Sequence, residues 1–379
     1  MPDPRHKKGR RHPLDAILAL LVIGLMSNHK GYTSIAAWAR TQPELTKALG
    51  FGSATPPCAA TIHNVLKRLD VVSLEASLTK WVFSKLEDFQ GLETNDFEGV
   101  AMDGKELCGS KDPETGFRTH LLSAVSHEVG VVLAETAVSG KTNEIPISTE
   151  LLKTFDVVGK VITTEVSLLT QKTFCKEVIQ RQADYAMPVK ANHKQMYTDI
   201  RQLFEPLSET DTPEVEKRRF ENLHTEINAH LDTYTDTQTS HGFTTTRTLT
   251  ASTALTDYIQ WPGLAQVYQY HTQRENIKTR EISSQTQYGI TSLTPEDASA
   301  KDLLKLRREH WTIENKVHWI RDTLFGEDAS QARTGRLPHV MAALRNTAMS
   351  ILRFDGRTKI AEALRFFAAE PILAVNTIC

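Results

Sequence analysis

The chain is poor in the features that mark several large protein classes. It has four cysteines in 379 residues, Cys58, Cys108, Cys175 and Cys379, and no two of them form a Cys-x-x-Cys pair. That spacing argues against a zinc ribbon or a disulfide framework and fits a reducing compartment. Net charge is nearly absent, −2 at neutral pH, so the total does not announce a nucleic-acid partner. Long apolar runs are missing too. Ala16–Met26 follows a basic arm as a signal peptide would, but it is too short to span a bilayer. The Ser27-Asn28-His29-Lys30 after it is no cleavage site, so the run reads as a buried helix. There is no internal repeat and no long low-complexity tract.

What is present is local. Arg5, Lys7, Lys8, Arg10 and Arg11 form a basic arm ahead of the first apolar run. Lys305–Lys359 carries a local excess of about five positive charges, enough to track a phosphate backbone or simply to solvate helix faces. The hydrophobic content of 40% and charged content of 24% fit a globular protein with room for two or three domains.

Texture changes along the chain. Apolar residues recur at helical spacing in Leu14–Met26, Ser34–Trp38 and Thr61–Leu69, which predicts a helical N-terminal domain over residues 1–90. Within it, residues 60–69 suit the second helix of a helix-turn-helix, with Thr61 as N-cap and Lys67 and Arg68 on the polar face. From residue 97 short β-forming runs alternate with helical ones: 99–102, 120–126, 129–137, 157–163 and 185–189 against 147–154 and 171–182. This is an α/β pattern. Residues 201–295 are Thr-rich and read as a β-rich insertion, with strands at 244–250, 266–271 and 287–292. Helices return at 303–322 and 340–353. The expected division is therefore 1–90, 95–200, 201–295, 296–355 and a C-terminal tail, 356–379.

Two acids stand out. Asp103 closes the apolar approach Gly99-Val-Ala-Met and is followed by Gly104-Lys105. This places it at a strand end, where carboxylates of α/β sites gather, although Asp-Gly is also a good turn pair. Glu314 lies between His310 and His318 at helical spacing, with Asp322 beyond. Its neighbours Trp311, Ile313, Val317, Trp319 and Ile320 leave little purely solvated face. Two separated carboxylates beside basic residues suggest metal-assisted phosphoryl transfer. His310, Glu314 and His318 alone are an alternative three-ligand transition-metal site.

Several segments in order carry a resemblance: RRHPLDAILAL near the start, ATIHNVLKRLD at 60–70, MDGKELCGS at 102–110, and HLLSAVSHEVGVVLAETAVSGKTNEIP from 120. ADYAMPVKANHK at 183–194, YGITSL at 288–293 and HWTIENKVHWIRDTLFGEDAS at 310–330 complete it. The chain resembles the insertion-sequence DDE transposases of the ISAs-type, or H-repeat-associated, family. The resemblance implies an RNase H-like catalytic core and a bacterial, cytoplasmic, nucleoid-associated protein. It also implies DNA recombination by metal-dependent cutting and joining of strands at the element's terminal inverted repeats and target DNA. Two Mg²⁺ (or Mn²⁺) ions and a homodimer on DNA are implied as well. Asp103 matches the first acid and Glu314 the third. Candidates for holding DNA are Arg5, Lys7, Lys8, Arg10, Arg11, Lys67, Arg68, Lys105, Lys190, Arg307, Arg308 and Arg321, with Lys141 also near in sequence. Asn143 and Glu144 match a family segment and read as loop-ordering.

The second acid departs from the pattern. Counting back from Gln171 puts Val166 where the family has Asp, and valine offers no lone pair. Glu165 is adjacent, but strand neighbours point to opposite faces, so it joins Asp103 and Glu314 only through a bulge or shift. Leu169 stands where the family has His, Cys108 where it has Arg, and Phe243 and Thr245 where Arg and Glu are common. These changes lead to an expectation of impaired catalysis. The alternative is an inactive, domesticated relative that still binds DNA.

Overall fold

The structure is a computed structural model. It describes residues 1–51, 55–88, 98–138, 144–165, 169–205, 224 and 228–378. Lys141, Asn143 and Val166 lie outside the described residues, as does the side chain of Glu144.

In chain order the N-terminal part is helical: α1 (Leu14–Met26), α2 (Tyr32–Ala39), α3 (Pro43–Ala48), α4 (Ala59–Leu66) and α5 (Val71–Asp88). There follow β1 (Glu98–Glu106), β2 (His120–Ser126), β3 (Val132–Val138), α6 (Glu144–Leu152), β4 (Lys160–Thr163), α7 (Lys172–Gln180), β5 (Asp184–Val189) and α8 (Lys194–Phe204). Four long strands come next: β6 (Leu231–Ser240), β7 (Phe243–Ser252), β8 (Gln266–Asn276) and β9 (Ile282–Thr291). Helices α9 (Ala300–Glu309), α10 (Trp319–Thr323), α11 (Leu337–Phe354), α12 (Ile360–Ala369) and α13 (Leu373–Ile378) close the chain. The hydrogen-bonded strand order is β3-β2-β1-β4-β5-β9-β8-β7-β6.

The chain packs as two compact units, and the division runs through β1 itself, between Asp103 and Gly104. One unit holds residues 1–93, 104–155 and 312–379. Its α1 is apolar all round, with Ile17, Leu20, Leu21, Ile23, Leu25 and Met26 fully buried. That is the signature of a core helix rather than a surface one, and α1 packs against α2, α11, α12 and α13. The segment expected to be a tail thus forms two helices that cover α1. Thr61 does not cap α4; Cys58 occupies the N-cap position and makes no side-chain cap bond. The hairpin β2–β3 pairs antiparallel and packs on α5, α6 and α11.

The other unit holds residues 94–103 and 156–311. Here β1 pairs parallel with β4, and β4 parallel with β5. These strands are buried, as parallel strands covered by helices must be. β9 pairs antiparallel with β5, and β8, β7 and β6 follow antiparallel in turn. Strand β6 was not foreseen. Its sequence LDTYTDTQTS has no apolar face, and it is held by cross-strand hydroxyl contacts: Thr233–Thr250, Thr235–Thr248, Thr237–Thr246 and Thr239–Thr244, all between 2.9 and 3.2 Å. Threonine is a good strand former, and facing Thr pairs stabilise a ladder without a hydrophobic face.

Candidate metal centre and its surroundings

Asp103 follows three buried residues of β1, Val100, Ala101 and Met102. The parallel ladder with β4 ends at Ala101↔Thr163, so Asp103 stands just beyond its carboxyl end, half-buried. A crevice opens where parallel strands stop and their connections diverge.

Glu314 is not in a regular α-helix. After α9, which begins in a Ser299–Asp302 capping box, the chain widens into a π-helical turn over Ile313–His318 and returns to α-helix in α10. Ile313 and Val317 anchor this turn in the core, while Glu314, Asn315 and Lys316 are exposed. A π turn bonds i to i+5 and costs regular helix geometry, so it persists where its surroundings support it. The support here is Arg353. Its buried guanidinium donates to the carbonyls of Lys316 and Gly130, and burial pulls its pKa down to about 10. Lys316 in turn donates to the Glu128 carbonyl at 3.2 Å. A Cβ on Gly130, whose φ is +75°, would meet the Lys316 side chain at 2.6 Å, so a glycine is required there twice over.

The turn brings His318 Nδ1 to 3.5 Å from Glu314 Oε1. Asp103 belongs to one unit, and Glu314 and His318 to the other. His318 is buried, Asp103 half-buried and Glu314 exposed. On the same strand, Lys105 Nζ sits 2.6 Å from Asp322 Oδ2, whose carboxyl burial pushes above its ordinary range despite that lysine.

Glu165 lies elsewhere. Both its carboxylate oxygens face Arg307, and Arg307 also donates to Gln287 Oε1 at 2.6 Å. The backbone carbonyl of Glu165 accepts from Lys190 Nζ at 2.9 Å. His310 is buried with Nδ1 3.0 Å from Thr163 Oγ1, and among the described residues no metal-spaced group includes it. The three-ligand alternative with His310 therefore does not form.

The basic residues expected to hold phosphates divide in two. Lys7, Lys8, Arg10, Arg11 and Arg68 are exposed, and Lys67 is partly so. Arg10, though exposed, donates to the backbone carbonyls of Arg5 and Asp3 and lies 3.6 Å from Asp3 Oδ2, and the remaining candidates also have partners inside the chain. Arg5 pairs with Asp3 at 2.8 Å, Lys105 with Asp322, Arg307 with Glu165, and Arg308 with Asp236 at 2.9 Å. Arg321 is a correction: its side chain is fully buried, 2.7 Å from both Glu135 and Glu327, and presents nothing to a phosphate from solvent. Its charge is a core ion pair, because a buried guanidinium is tolerable only beside carboxylates. Sequence reasoning missed these partners. A trace was legible: Glu135 is the one charge in the largely apolar strand β3, where a charge needs a partner.

Comparison with known proteins gives the family. The transposase DDE domain model matches residues 95–365, and a model described as DDE_Tnp_1-associated matches residues 1–82. The chain belongs to the DDE transposase family. Among relatives, "Putative transposase YncI" of Escherichia coli O157:H7 is 26% identical over 93% of this chain and 85% of its own length. "H repeat-associated putative transposase YhhI" of E. coli K12 is 26% identical over 94% of this chain and 89% of its own length. "Putative protein YbfL" of the same strain is 27% identical over a similar span.

Proposed function

We propose that this chain binds the terminal inverted repeats of an insertion element and its target DNA, and cuts and joins DNA strands with divalent metal held by Asp103 and Glu314. The observation that carries the reading is the match of the transposase DDE domain model to residues 95–365, within which Asp103 stands at a strand end and Glu314 Oε1 lies 3.5 Å from His318 Nδ1. The donor set fits a divalent cation: two carboxylates for a hard ion and one imidazole that favours Mn²⁺ over Mg²⁺. Divalent metal in such a pocket supplies Lewis-acid polarisation of a phosphodiester and stabilisation of the leaving oxygen. The chain's own part is to hold the two carboxylates on supports of different kinds, a strand end and a buttressed π turn. The exposed arm of Lys7, Lys8, Arg10 and Arg11, with Arg68 just beyond the end of α4, supplies phosphate contacts. Parallel β1, β4 and β5 with helices in their connections support an RNase H-like core. A cytoplasmic, nucleoid-bound homodimer accords with the need to hold two DNA ends.

One observation favours a second reading. Glu165 is neutralised by Arg307, which leaves the centre one carboxylate short of the family's three. On that reading catalysis is impaired and the chain persists as a DNA-binding relative. Incubating the protein with plasmid carrying the DNA that flanks its own gene, with Mn²⁺, Mg²⁺ or EDTA, separates the two. Mn²⁺-dependent nicking lost in Asp103→Ala and Glu314→Ala supports the transposase. Salt-sensitive binding without nicking supports the inert relative. Neither binding nor nicking refutes both.

A further inference from the structure

A second cluster of the same donor types lies deep in the unit that holds α1 and α11. Glu75 on α5, Glu135 on β3 and His339 on α11 each offer a ligand atom, all within 4.8 Å of one another. Glu75 Oε1 is 3.2 Å from His339 Nε2. Glu135 is fully buried; its Oε2 accepts from Ser123 and Arg321, each at 2.7 Å, while its Oε1 has no hydrogen-bond partner. The second, independent observation is Asn346. It is 6% exposed, and neither its amide nitrogen nor its amide oxygen has a partner. Asn346 lines a cavity of about 20 Å³ together with Glu75, Thr79, Ala134 and Ser350. A cavity of that size holds one water-sized occupant.

Charge argues in the same direction. The network contains three carboxylates, Glu75, Glu135 and Glu327, and two guanidiniums, Arg321 and Arg345, with Arg345 3.0 Å from Glu327. Carboxylates outnumber guanidiniums there by one, an excess of acceptors that a cation would meet. The orphaned oxygens of Glu135 and Asn346 point the same way.

We propose that Glu75, Glu135 and His339 form a structural Zn²⁺ site, the fourth position falling to water. Imidazole nitrogen and carboxylate oxygen are both ordinary zinc donors, and closed four-ligand sites of this sort stabilise folds. Glu75 lies in the segment matched by the associated model, and Glu135 and His339 lie in the transposase segment. The ion would therefore clip the N-terminal helices to β3 and α11. This site is independent of the proposed catalytic centre and of the transposase reading.

The test uses the full chain as Asp103→Asn/Glu314→Gln, stripped with EDTA and titrated calorimetrically with Zn²⁺. One Zn²⁺ per chain is expected, with affinity at least tenfold weaker in the same protein carrying Glu75→Gln or His339→Gln, and a Zn²⁺-dependent rise in melting temperature that Glu75→Gln abolishes. Co²⁺ in place of Zn²⁺ should give visible bands without thiolate charge-transfer absorption, which excludes the exposed Cys58 and Cys108 as ligands and needs no variant of the buried histidine. Absence of saturable Zn²⁺ binding in the double variant overturns the proposal. So does binding that Glu75→Gln leaves unchanged, or a thiolate spectrum.

Discussion

Two carboxylate–imidazole pairs in this chain, Glu314–His318 and Glu75–His339, are built in opposite surroundings. In the first the glutamate is about half exposed. Around the second, Glu135, Glu327 and two arginines close the core. The first pair is open to solvent on its glutamate side, and the second is enclosed by charged partners. Donor types alone therefore do not separate a catalytic centre from a structural one; burial and the balance of neighbouring charge do.

The comparison can be broken by substitution. The largest effect is expected from Arg321→Ala, which strands Glu135 in the core and leaves Glu327 with Arg345 alone. Loss of one partner from a buried ion pair costs about 3–5 kcal/mol, read as a lower midpoint in urea unfolding. Next comes Asp103→Asn or Glu314→Gln, which should leave that midpoint unchanged. Metal-dependent nicking should fall by more than roughly 100-fold, beyond what loss of an outer-sphere partner usually costs. If Glu314→Gln instead unfolds the chain and Arg321→Ala does not, the roles assigned to the two clusters are reversed.

A smaller effect is expected at Gly289. A Cβ there would lie 2.1 Å from Tyr268 Cζ, so Gly289→Ala should cost about 1–3 kcal/mol through overpacking, measured by the same unfolding curve. The smallest effect is expected from Glu165→Gln. If Glu165 serves only as the partner of Arg307, nicking changes by a few-fold or less and stability by about 1 kcal/mol or less. A loss as deep as that of Asp103→Asn would place Glu165 among the metal ligands.

Much of the fold was legible along the chain. α1 coincides with the apolar run at 14–26, and β2 and β5 fall where short β-forming runs are bounded by turns. Asp103 was visible because an apolar strand delivers a carboxylate just before Asp-Gly. Glu314 was visible because both histidine neighbours share its helical spacing. Strand β6 was not, because its threonines satisfy one another across a ladder and leave no hydrophobic period to read. The π turn was not, because it depends on Arg353 arriving from another helix.

The order of apolar and polar residues determined where strands and helices begin, since burial periodicity is a local property of the chain. It also determined which acids end up at a strand end and on a helix. Only the tertiary structure decided which charges meet. Arg321 turned inward to Glu135 and Glu327, Arg307 closed on Glu165, and His318 came to stand beside Glu314. The reason is that the energy of a charge depends on what surrounds it after folding, and those surroundings come from segments hundreds of residues apart.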